Sequence, residues 1–122
     1  MTEALAMTGP GWYGIRTIFR FDGVAASGDA IFEERVCVYK TSSLDEAFER
    51  AKAEAHEYVD TLASDEQPCV FLGLFQSYYI SEEVESGVEV FSLMRESELG
   101  DEEYLSHFFD TGRERHRVTS EE

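Results

Sequence analysis

The run SLDEAFERAKAEAHEYVDTL, residues 43–62, decides the fold. Within it Leu44, Ala47, Phe48, Ala51, Ala55, Tyr58, Val59 and Leu62 recur at three- and four-residue spacing, the period of one face of an amphipathic α-helix. Ser43, followed three residues later by Glu46, has the form of a capping box: the hydroxyl accepts from an early backbone amide and the carboxylate reaches back to the cap. Glu46 and Arg50 add an i,i+4 ion pair worth about 0.2–0.5 kcal/mol. Ser64, Asp65 and Pro68 mark the exit.

Working outward, WYGIRTIFRF (12–21) and IFEERVCVYK (31–40) are rich in aromatic and β-branched residues and flank a small, glycine-containing stretch, 22–30. They read as an antiparallel hairpin with a long loop. After the helix, CVFLGLFQSYYI (69–80) is apolar on both faces until Gln76, as expected of a strand in the middle of a sheet or at an interface. The acidic turn 81–87 and the run VEVFSLMRE (88–96) complete a second hairpin. Asp101 is placed to cap a short helix that carries Tyr104, Leu105, Phe108 and Phe109 on one face and stops at Gly112. That short helix is expected to dock on the sheet. The expected order is ββαββα, an α+β fold with a four-stranded, mainly antiparallel sheet and one long and one short helix on one face. Residues 1–11 read as a loose tail, 12–112 as a single α+β domain and 113–122 as a charged C-terminal tail.

Composition bounds the function. Among 122 residues, nine Phe, six Tyr and one Trp supply more core-forming area than a disordered acidic chain carries. Two cysteines are too few for a disulfide scaffold. No apolar run approaches the roughly 18 residues of a membrane helix, so a soluble, cytoplasmic protein is expected. The formal charge is -16, and it is unevenly spread. Residues 45–66 hold eight acids and two bases, and residues 82–103 hold nine acids and one base. A surface of this kind repels phosphate backbones, which argues against nucleic acid, and steers a basic protein toward itself. Glu82, Glu83, Glu85, Asp101, Glu102 and Glu103 are the candidate partner-binding residues. A solvated acidic surface that merely aids solubility is the plainer alternative.

Catalytic signatures are missing: the chain has no glycine-rich phosphate loop, no paired metal-spaced histidines, no CxxC and no GxSxG. No cofactor or metal is implied. Cys37 and Cys69 sit among valines and Phe71 and read as small hydrophobes; His56 and His116 read as solvated, and His107 borders an apolar stripe. An enzyme built on Glu34, His107 or Cys37 therefore ranks last, and a non-enzymatic, immunity- or inhibitor-like module ranks first. Between them stands a small-anion-binding domain. Arg16 and Arg20 share a strand face, and if Arg35 and Arg95 join them, Tyr13, Gln76 and Tyr78 would help form a cationic cradle. Cross-strand pairs with Glu33, Glu34 or Glu89 would instead neutralise those arginines. Phe71, Phe75, Tyr79 and Phe91 exceed what the inner sheet face should need, so the open face is expected to be covered by a second copy or another protein.

The segments WYGIR (12–16), EER (33–35), FSLMRES (91–97) and FFDTGRER (108–115) resemble the DUF4288 family over roughly residues 12–115. The resemblance carries no activity and no catalytic residues. It singles out Trp12, Tyr13, Arg16, Glu34, Arg35, Arg95, Glu96, Gly112 and Arg115 as positions to locate first.

Overall fold

The computed structural model describes residues 9–115 and 118–121, so His116 and most of the expected N-terminal tail lie outside the described residues. The chain forms two compact units, Met1–Ser92 and Leu93–Glu122.

The first unit runs β1 (Gly11–Phe21), β2 (Ile31–Thr41), α1 (Leu44–Leu62) and β3 (Cys69–Ile80). The fold class is α+β as expected, but the sheet has three strands in the order β2-β1-β3, all antiparallel. β1 holds the centre and β3, expected in the middle of the sheet or at an interface, is an edge. Tyr13, Ile15 and Phe19 of β1 are fully buried, and only the central strand has a neighbour on each side to complete such burial. Their ring neighbours come from β3, with Tyr13 5.4 Å from Tyr79 and Phe19 5.4 Å from Phe71.

α1 covers the face that these residues share. Ala47, Ala51 and Ala55, one turn apart, are buried and let the helix backbone approach the strands. Leu44, Phe48, Tyr58 and Val59 fill the flanks, while Leu62, expected in the apolar face, is exposed at the helix end. Ser43 caps the helix by accepting from the Glu46 amide at 3.1 Å. The Glu46 carboxylate reaches back one residue further than the capping box requires, accepting from the Ser42 amide and hydroxyl at 3.3 and 2.9 Å.

The run 88–96 forms no strand. Its first residues instead cross the sheet face opposite α1. A side chain at Gly14 of β1 would collide with the Val90 carbonyl oxygen, so the missing Cβ makes room for that crossing. On β3 the pairing register shifts between Thr17 and Phe19 of its neighbour, where Gly73 takes φ +79° and absorbs the bulge.

The second unit carries α2 (Asp101–Tyr104), which continues as a π-helical turn, Leu105–Phe109. Asp101 is the first helical residue and not the cap: Gly100 occupies that position without a side-chain bond. No residue of either turn is buried. Gly112 follows at φ +85°, where the helix was expected to stop. Among the described residues no helix is long and apolar enough to cross a membrane.

Candidate functional site

Strand register decides which of the expected residues meet. Arg16, Arg20, Gln76 and Tyr78 lie on the face away from α1, whereas Arg35 pairs with Thr17 and Tyr13 with Tyr39, on the helix side. The structure therefore does not form one stripe of Arg16, Arg20 and Arg35. Phe71, Phe75 and Tyr79 also lie on the helix side, packed into the core, and only Phe91 serves the opposite face.

On that opposite face Arg16 is held from three directions. Its Nη1 is 3.2 Å from Glu34 Oε1, its Nη2 donates to Gln76 Oε1, and its guanidinium carbon stands 5.2 Å from the Phe91 ring centre. Tyr78 donates to Glu89 and its ring lies 6.1 Å from Phe91, so residues 89–91 tie themselves to the sheet through these aromatics. The hydrogen bond to the Glu89 carboxylate is the main reason the Tyr78 hydroxyl titrates above its usual range. Beside Arg16 a shallow cavity of about 160 Å³ is lined by Ile18, Glu34, Leu74 and Gln76. Arg20 turns to Asp22 at 3.3 Å and is not part of it.

On the helix side Arg35 Nη1 bonds Glu54 at 2.8 Å and its guanidinium carbon lies 3.8 Å from the Tyr58 ring centre. Tyr58 donates to Glu33 at 2.6 Å; burial, followed by that bond, pushes its hydroxyl up to about 12. Tyr13 is buried and donates to the Gly9 carbonyl, and burial raises it too. Cys37 is half-buried on the helix side of β2, near Tyr39, while Glu34 is on the other face of the same strand. These two cannot act on one substrate atom. Cys69 is buried, and burial raises its thiol.

A third cluster joins the turn after β3 to the sheet. Glu83 accepts from Trp12 Nε1 at 2.7 Å and pairs with Lys40 at 3.2 Å. The Trp12 bond, then Lys40, holds the Glu83 carboxyl below the usual carboxylate range. Glu82 and Glu85 stay exposed. Lys40 carried no expected role, although its position in strand alternation with Glu34 was readable.

In the second unit Arg95 Nη1 donates to the Tyr104 hydroxyl at 3.2 Å and its guanidinium carbon is 4.5 Å from the Phe108 ring centre. His107 Nδ1 is 2.7 Å from the Glu103 carbonyl. Asp101, Glu102 and Glu103 are exposed along the first turn of α2. Among the described residues no three His, Cys, Asp or Glu side chains could hold a metal ion.

No curated protein and no solved structure matches the chain. A family described as "Domain of unknown function (DUF4288)" matches residues 12–92. The match takes in Trp12, Tyr13, Arg16, Glu34 and Arg35 and ends before Arg95, Glu96, Gly112 and Arg115. It spans most of the chain and almost all of the first compact unit, and the chain belongs to the DUF4288 family.

Proposed function

We propose that this chain is a non-enzymatic, cytoplasmic protein-interaction module, inhibitor- or immunity-like, whose acidic surface receives a basic protein. The observation that carries the reading is the back of α1. Asp45, Glu49, Glu57 and Asp60 are exposed there, and none forms an ion pair among the described residues. Glu82 and Glu85 extend the acidic set of the first unit, and Asp101, Glu102 and Glu103 form a separate set on the second. Unpaired carboxylates that outnumber the exposed Arg50 and Lys52 of the same helix attract a basic surface at long range, and salt screens that attraction.

The test uses the full chain as bait at low and high salt, beside a Glu49→Lys/Glu57→Lys/Asp60→Lys variant of unchanged circular dichroism. A basic protein retained stoichiometrically by the wild type, released by salt and lost with the variant is the expected outcome. Equal retention by wild type and variant, or no retained protein at low salt, overturns the reading.

The cavity beside Arg16 favours a second reading, a small anion bound there. Glu34 and Gln76 already occupy both ends of the guanidinium, so an anion must displace the carboxylate. Calorimetry with inorganic phosphate on wild type and Arg16→Ala decides it: heat in the first and none in the second would move the function to this face.

A further inference from the structure

The sheet has two edges, and they are finished differently. β3 breaks its pairing register at the Gly73 bulge, which bends an edge away from further pairing. β2 pairs with β1 through eleven consecutive residues with no shift, contains no proline, and has no strand on its outer side among the described residues. An edge of that length presents a row of backbone donors and acceptors to any chain that matches it.

We infer that the occupant of this edge is a second copy of the chain, added antiparallel through β2 about a twofold axis at Cys37. The side chains select this occupant and this register. With the axis at Cys37, Val36 stands opposite Val38 of the second copy, Arg35 opposite Tyr39 and Glu34 opposite Lys40, each arrangement occurring twice. Glu34 and Lys40 share the face away from α1, since they pair with Ile18 and Trp12 of β1, so the opposite charges meet on one side of the joined sheet. An axis at Val36 sets Glu34 against Val38 and joins no opposite charges, and an axis at Arg35 sets two guanidinium groups against each other. Both charges reach solvent, the side chains of Glu34 and Lys40 being 58% and 61% exposed in their contacts with Arg16 and Glu83. Val36, at the centre of the pairing, is 38% exposed although it is apolar. The face opposite α1 is a weaker place for a second copy, because residues 89–91 already lie on it.

A charge-swap cycle read by light scattering tests the inference on the full chain at about 100 μM, enough to fill sites of micromolar Kd. The wild type is expected at twice the chain mass. Glu34→Lys and Lys40→Glu each turn two opposite pairs into two like pairs, and each should raise the dimer Kd by at least about tenfold. The double variant Glu34→Lys/Lys40→Glu restores opposition between chains while leaving Lys beside Arg16 and Glu beside Glu83 within each chain. Recovery of the dimer by the double variant can therefore come only from the pairing across β2. Circular dichroism and thermal unfolding check that each variant folds. A monomeric wild type, single variants that dimerise like the wild type, or a double variant that stays monomeric while folded would each overturn the inference.

Discussion

Tyr58 joins three kinds of interaction in one side chain. Its ring carries the Arg35 guanidinium on one side, meets Phe19 edge-on at 4.9 Å, and aims its hydroxyl at Glu33. The phenol therefore belongs to the core and to a charged network at once, and losing its proton would set a phenolate against a carboxylate. Its folded pKa, pushed up to about 12, lies above the ordinary value of 10.0. A raised pKa of this sign gives stability that is complete below the unfolded pKa and is lost as pH rises through the folded one. Stability should fall between about pH 10 and 12, and Tyr58→Phe should reduce that slope in urea unfolding. At neutral pH the same variant should cost about 1 kcal/mol for the lost hydrogen bond. A slope equal to that of the wild type would show that the other raised tyrosines carry the effect. The network around Tyr58 was only half legible in sequence. Tyr58 fell on the apolar helix face by its period, but Arg35 did not declare its side. Both faces of IFEERVCVYK mix charge with apolar residues, and the loop 22–30 is too long to fix a hairpin register.

Elements were legible where one signal ruled. α1 and the three strands fell within a residue or two of the expected bounds, because the helical period and the β-branched runs were each unopposed. The fourth run failed for a tertiary reason. VEVF alternates like a strand, yet the chain leaves β3 to cross over β1 at Gly14 instead of turning back along an edge. The signal was present in the other partner: a glycine inside a strand pattern marks a close backbone approach. Gly14→Ala is accordingly a test of the crossing. A methyl there meets the Val90 carbonyl, which is backbone and cannot swing away as a long side chain would. We expect a loss of about 1–3 kcal/mol, as for overpacking. Gly9→Ala, which would meet nothing within 4 Å, should stay within about 0.5 kcal/mol of the wild type. Equal stability of both variants in urea would mean that residues 88–91 do not hold to the face opposite α1.

At the scale of the whole molecule, charge opposes folding and, on the function proposed above, favours a basic partner, so salt should move the two in opposite directions. The chain carries 26 acids against 10 bases, and the described residues contain four ion pairs, Arg16–Glu34, Arg20–Asp22, Arg35–Glu54 and Lys40–Glu83. Arg35–Glu54 is the least exposed pair but still reaches solvent, and exposed pairs are worth about 0–1 kcal/mol each. Screening them therefore removes little. The remaining carboxylates repel one another in the compact state, and the unfolded chain relieves that repulsion by moving them apart. Shortening the Debye length from about 30 Å at 0.01 M to about 3 Å at 1 M removes most of it. The midpoint of thermal unfolding should therefore rise with added sodium chloride, even as the retention of a basic partner falls. One salt series followed by both readouts separates the two effects: a midpoint that falls with salt would mean that the ion pairs outweigh the repulsion, and that the acids on the back of α1 are not held against their own field.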